Sequence, residues 1–219
     1  MTALARLWPL FGLRVRTPRL ELRVPTDDEL CALAEVAAAG VHPADTMPFD
    51  VPWTAAPSPL LERGVLQFYW RCRGEWSVER WTLDFAVFLD GRPVGAQGLS
   101  ATAFPVVRSF ETGSWLGRRF QGQGIGREMR AAALHFGFDG LETVQAHSGA
   151  WEDNAASLAV SRALGYRPNG ERIDPRLGRP CRKLLLRLDR ADWSSPAEVS
   201  VEGLEPCLPL FGLDAQSED

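Results

Sequence analysis

The stretch Ser114-Trp-Leu-Gly-Arg-Arg-Phe-Gln-Gly-Gln-Gly-Ile-Gly126 joins a predicted strand to a predicted helix, and three of its last five residues are glycine. Glycines let a backbone turn tightly and let its amides come close to a ligand. The helix behind them is marked by Ile125, Met129, Ala132, Ala133 and Phe136 on one face. Its start adds unpaired N–H groups and the positive end of a dipole. Together they make an anion site, most naturally for a phosphate or pyrophosphate. Arg118, Arg119 and Arg127 flank it with positive charge.

Upstream, Trp81, Leu83, Phe85, Val87 and Leu89 alternate strictly, as in a half-buried strand. Asp90-Gly91 is a hairpin signal, and strands are expected from Pro93 to about Ala101 and from Val106 to Leu116. Short connections between three strands predict an antiparallel meander. Leu20 to Val24 reads as an earlier strand, and helices are expected from about Thr26 to Gly40 and from Pro59 to Arg73. Downstream, Thr143 to His147 reads as a strand, Asn154 to Leu164 as a helix closed by Gly165, and Arg182 to Leu188 as a last strand.

This context sorts the chemistries open to the glycine loop. A P-loop needs Gly-Lys-Ser/Thr, whereas here Gly126-Arg127-Glu128 follows, so that reading is excluded. A dinucleotide loop needs G-x-G-x-x-G at the opening of a βαβ unit. The spacing here is G-x-G-x-G after a meander, although Glu142 does lie downstream where a ribose-binding acid would sit. The third candidate is a loop for acyl-CoA.

Gln121-Gly-Gln-Gly124-Ile-Gly126 fits Q/R-x-x-G-x-G/A and resembles the pyrophosphate loop of the GNAT acyltransferases. Thr17-Pro-Arg-Leu-Glu-Leu-Arg23 is similar to the opening strand of the RimJ/RimL-like branch, and Glu111-Thr-Gly-Ser-Trp-Leu116 to its fourth strand. Asp153-Asn154-Ala-Ala-Ser157 followed by Leu164-Gly165-Tyr166 resembles its N-x-x-S…G-[FY] helix. The ends of the chain resemble an actinobacterial subgroup that includes succinyl-CoA users. The resemblance spans about residues 15–190 in the family's order.

It implies an α+β fold with a mixed, mostly antiparallel central sheet flanked by helices. Acyl-CoA would enter the V where the fourth and fifth strands part. Backbone near Leu116 would hold the pantetheine and polarise the thioester. Arg119, Gln121, Gly122, Gln123, Gly124, Gly126 and Arg127 would surround the pyrophosphate. Asn154 would contact the pantetheine, though asparagine is also a preferred helix cap. Ser157 would protonate the departing thiolate. Glu111, with Asp174 as second choice, would take the amine's proton through water; His147 is a further, lone candidate. Met47, Phe49 and Trp53 in the Pro-rich stretch 41–58 would line the acceptor side. The implied reaction is direct transfer from acetyl-CoA or succinyl-CoA to a primary amine of a protein or small molecule. An acyl-CoA-binding module with little catalysis is the alternative.

The rest of the composition is consistent with that reading. The chain has 219 residues, 45% hydrophobic and 24% charged, enough for a core without staples. A net charge of −4 argues against nucleic acid or a membrane surface as partner. Four cysteines at long spacings and three scattered histidines form no zinc pattern, and no metal is expected. No run is apolar enough for a membrane span and no signal peptide is evident, so a cytoplasmic location is expected. Lysine and arginine total 24, of which only Lys183 is lysine. Residues 1–193 are expected to form the acyltransferase domain and 194–219 an appendage on that domain or on a partner subunit. Pro9-Leu-Phe-Gly-Leu13 recurs as Pro209-Leu-Phe-Gly-Leu213, either by chance or because the ends dock side by side or on two subunits of a homo-oligomer.

Overall fold

A computed structural model describes residues 3–195 and 198–213; the rest of the expected appendage, 196–197 and 214–219, lies outside them. Among the described residues nine strands form one sheet. They are β1 (Arg14–Arg16), β2 (Leu20–Arg23), β3 (Arg80–Leu89), β4 (Arg92–Thr102), β5 (Ser109–Leu116), β6 (Gln145–Trp151), β7 (Arg167–Arg176), β8 (Arg179–Asp189) and β9 (Ser200–Glu202). Their order across the sheet is β7-β8-β6-β5-β4-β3-β2-β1-β9. Every neighbouring pair is antiparallel except β5 and β6, which run parallel. The fold is the α+β architecture expected, and β5 and β6 are the fourth and fifth strands of the sequence reading.

The helices are α1 (Ala3–Leu7), α2 (Asp27–Ala38), α3 (Leu60–Gly74), α4 (Phe104–Val107), α5 (Ile125–His135) and α6 (Ala155–Ala163). Thr26 starts α2 with a full capping box: its hydroxyl accepts from the Glu29 amide while the Glu29 carboxylate accepts from the Thr26 amide. Leu30, Leu33, Ala34 and Ala37 on α2 pack with Val65 and Tyr69 of α3 against Ala86 and Phe88 on one face of the sheet. The other face carries the larger core, in which Met129, Ala132, Ala133 and Leu134 of α5 cover Phe85, Leu99 and Phe110. At Gly137, just past α5, an added Cβ would stand 2.3 Å from the Phe110 ring. Only a glycine lets the chain lie that close to β5, and this contact fixes where α5 and the loop before it sit.

Several boundaries differ from the sequence expectation. Val106 and Val107 belong to α4 rather than to a strand; Ala103 and Arg108 on either side adopt left-handed backbone. Val106 is 86% exposed. The fifth strand runs on to Trp151 rather than ending at His147. Three strands, β1, β7 and β9, carried no clear signal. β7 is an exposed edge strand containing Pro168 and Pro175, where prolines are tolerated. β9 is three residues long and closes the opposite edge on β1.

The two Pro-Leu-Phe-Gly-Leu segments dock side by side on the larger core. An added Cβ at Gly203, which precedes the second segment, would stand 2.5 Å from the Gly12 carbonyl oxygen. Trp76 lies between the ends, packing edge-on to Trp8 and donating from its indole N–H to the Leu210 carbonyl at 2.9 Å. The two copies are not structurally equivalent. Leu10 and Leu13 are buried from the first, whereas Phe211 is buried from the second.

Candidate active site

The parallel pairing of β5 with β6 runs from Ser109–Gln145 to Thr112–Ser148 and then stops. Beyond it each arm keeps its outer neighbour only: β5 stays with β4 through Leu116, and β6 stays with β8 through Trp151. The parted arms open a cavity of about 650 Å³. Residues 113–116 form one wall, 149–151 the other, and the start of α6 the rim.

At one end stands the glycine loop. Gly122 and Gly124 have φ of +74° and +79°, a region that disfavours any side chain. Gly124 is the N-cap of α5 and supplies no side-chain cap, so the first-turn amides have no protein acceptor from it. Arg118, Arg119 and Arg127 are exposed, and among the described residues none of them forms an ion pair. The loop is held from behind. Arg19 pairs with Glu128 and donates to the Gln123 carbonyl at 3.2 Å; Thr17 donates to Glu128 at 2.5 Å. Gln121 donates to the Val41 and Leu116 carbonyls, at 2.7 and 2.9 Å, and Gln123 to that of Arg119. The side chains of both glutamines therefore shape the loop and leave anion contact to the backbone.

Of the residues expected in the site, Met47, Phe49, Glu111, Leu116, Gln121, Gly126, Asn154 and Ser157 line the cavity. Gly122, Gln123, Gly124, Arg119 and Arg127 lie beside it in the loop. Glu111 is exposed on β5, one residue before the pairing with β6 ends. Asn154 caps α6, its Oδ1 accepting from the Ser157 amide at 3.1 Å. Trp53 stands behind the wall, 5.1 Å from the ring of Phe49 and 5.6 Å from that of Trp115. Asp174 is outside the lining; it sits on β7 opposite Cys181 and pairs with Arg172 at 2.5 Å. His147, opposite Glu111 on β6, is also outside the lining.

Three cations line the cavity that the sequence reading left unassigned. Arg130 of α5 is 3% exposed, and among the described residues no carboxylate pairs with it. It bridges the two arms, donating to Ser114 Oγ at 2.9 Å and to Ser148 Oγ at 3.3 Å, and its Nε has no partner. Burial pushes this guanidinium below its ordinary pKa, and the Tyr166 phenol offsets that only in part. Arg176 is held by Asp153 through two hydrogen bonds, at 2.7 and 2.6 Å, and donates to the Met47 carbonyl. The pair holds the Asp153 carboxyl below its usual range. Lys183 is 6% exposed and donates to Asp50 at 2.5 Å. Arg176 and Lys183 thus tie the 47–50 loop across the cavity mouth. Arg130 could have been noticed, because it falls within the buried run Met129–Leu134 of a helix already predicted.

The chain matches the Acetyltransferase (GNAT) domain family over residues 19–167. It is also similar to solved structures. A putative ribosomal-protein-serine acetyltransferase from Vibrio cholerae is 22% identical, with a TM-score of 0.62 over 80% of this chain and 97% of that one. RimL, a ribosomal L7/L12 alpha-N-protein acetyltransferase solved with coenzyme A, is 18% identical, with a TM-score of 0.63 over 79% and 95%. Mycobacterium smegmatis RimJ, solved with CoA-disulfide, is 22% identical, with a TM-score of 0.64 over 80% and 85%. At these identities the likeness to the structures speaks for the fold. No helix among the described residues is long and apolar enough to cross a membrane.

Proposed function

The chain belongs to the GNAT acetyltransferase family, and on that premise we propose that it transfers an acyl group directly from acyl-CoA to a primary amine. The observation that carries this is the parting of β5 and β6 at Thr112–Ser148, which opens a slot for a thioester beside a helix start rich in free amides. The amides from Gln121 to Arg127 hold the pyrophosphate, where the dipole and three exposed arginines favour negative charge. The Asn154 amide nitrogen contacts the pantetheine while its oxygen keeps the cap. Backbone near Leu116 polarises the thioester carbonyl.

Ser157 lines the slot, its amide held by Asn154 and its hydroxyl without a hydrogen bond among the described residues, and it gives a proton to the departing thiolate. Glu111 takes the amine's proton through water. We prefer it to Asp174, which Arg172 already occupies. Met47 and Phe49, backed by Trp53, form the acceptor side. Chemistry of this kind needs no metal.

Arg130 supports the succinyl-CoA form of the donor. A buried guanidinium is costly unless paired, and carboxylates pair with it best because two oxygens match its fork. At the point where the arms part, it can meet the terminal carboxylate of a dicarboxylic acyl chain.

Native mass spectrometry of the purified chain tests the reading. One acyl-CoA bound per chain is the expected result; no bound CoA species at millimolar ligand overturns it. Gly124→Val forces a β-branched residue to positive φ and distorts the loop. At about 1–3 kcal/mol for such strain, CoA affinity should fall roughly tenfold or more by calorimetry. An unchanged affinity would remove the loop from the site. Ser157→Ala should lower turnover by about 100-fold and leave acyl-CoA affinity nearly unchanged. A wild-type rate would return Ser157 to the structure of α6.

A further inference from the structure

Lys183 is the single lysine among 24 basic residues and sits at the wall of the acyl slot. Its stem crosses the β6 arm: an added Cβ at Gly149 would stand 2.8 Å from Lys183 Cε, so the arm carries no side chain where the lysine lies. Its Nζ is 5.7 Å from the centre of the Trp151 ring and is held by Asp50, a residue more than half exposed on the 47–50 loop. A primary amine is therefore fixed beside the path that the proposed donor takes between the arms. Among the described residues Asp50 is its carboxylate partner, and Asp50 faces water.

We propose that Lys183 is an internal acyl acceptor, modified on its ε-nitrogen by the acyl-CoA bound in the cleft when no external amine is present. This rests on the reading of the cleft as an acyl-CoA site. In the reaction, Asp50 accepts one proton from the ammonium and passes it to solvent. The freed amine attacks the thioester carbonyl carbon. The N–C bond forms, the C–S bond breaks, and the thiolate leaves as CoA after taking up the second proton lost by the nitrogen. An ammonium and a thioester thus give an amide, a thiol and one proton, with no further reactant. The amide carries no charge, so the acylated chain loses the Lys183–Asp50 ion pair that ties the 47–50 loop to β8.

The test is to incubate the full chain with acetyl-CoA or succinyl-CoA without any amine acceptor, then to take intact masses and map the modified peptide. CoA binding is measured on the same sample. The expected result is one acyl group per chain, on Lys183, absent from Lys183→Arg. Held proximity should make it appear at least about tenfold faster in the folded chain than in chain unfolded in urea with the same acyl-CoA. Bound acyl-CoA with an unmodified Lys183, or with an adduct on the Met1 amine alone, overturns the inference and leaves the cleft assignment standing. Faster labelling of the unfolded chain also overturns it, because a lysine that is merely buried and paired would behave that way. If no acyl-CoA binds, the cleft assignment fails and the inference falls with it.

Discussion

Replacing Arg130 by methionine is expected to weaken succinyl-CoA binding about 100-fold while making the free chain more stable. The two effects have one cause. In the free chain the guanidinium is buried among Ser114, Ser148 and Tyr166 with no carboxylate among the described residues, so neutral hydrogen bonds offset its desolvation. Apolar replacements of buried ionic groups commonly stabilise a protein by about 1–4 kcal/mol. At roughly 2–4 °C per kcal/mol for a chain of this size, the melting temperature should rise by several degrees. A bound terminal carboxylate changes the sign, because removing its partner then leaves that charge buried alone, at a cost of about 2–5 kcal/mol. Acetyl-CoA has no such group, so its affinity should change little. Arg130→Lys keeps the charge without the fork and should fall between the two. Calorimetry with both donors, beside a thermal melt, checks all of this. Equal loss for succinyl-CoA and acetyl-CoA would show that Arg130 only braces the two arms, and would remove the argument for a dicarboxylic donor.

The sequence could reveal the loop, the strands around it and the family for a local reason. Gly122 and Gly124 serve backbone geometry within a few residues, and Trp81 to Leu89 alternates because one face is buried along most of its length. What stayed hidden depends on distant pairings. The parting of β5 and β6 has no mark of its own: Thr112 and Gly113 read alike as strand, and only the path of β6 decides which is the last to pair. Arg176 and Lys183 matter because the β7–β8 hairpin returns them to the mouth of the cavity, and Asp50 and Met47 because a Pro-rich loop reaches them. Asp174 is the converse case. A sequence position beyond the Gly165–Tyr166 turn suggested the cleft, but strand pairing opposite Cys181 and the Arg172 ion pair keep it outside the cavity lining. Val106 and Val107 misled because β-branched residues favour strands, whereas left-handed residues on both sides set the backbone there.

Phe211→Ala is expected to cost about 3–5 kcal/mol of folding stability, the usual range for emptying an aromatic site in a core. The side chain is fully buried and meets Trp76, Trp81, Phe104 and Phe136 at centroid distances of 5.4, 5.0, 6.3 and 6.2 Å. Four rigid rings around it cannot collapse into the space, so transfer and cavity costs add. Phe11 occupies the same place in the other Pro-Leu-Phe-Gly-Leu copy, yet it is half-buried and lies beneath the Arg73 guanidinium at 5.1 Å. Phe11→Ala should cost only about 1 kcal/mol, from partial burial and a half-buried cation–π contact. Urea denaturation of both variants makes the comparison, with the midpoint shift converted through a common slope. Two equal losses would mean that the repeated segments play equivalent parts, against the burial seen at each. A small loss for Phe211 would mean that residues 198–213 only cover a core complete without them. A large loss confined to Phe211 would make the C-terminal segment part of the domain's folding unit. In that case a chain cut before Ser200 should fail to hold α5, and with it the glycine loop, because Phe136 at the end of that helix packs directly on Phe211.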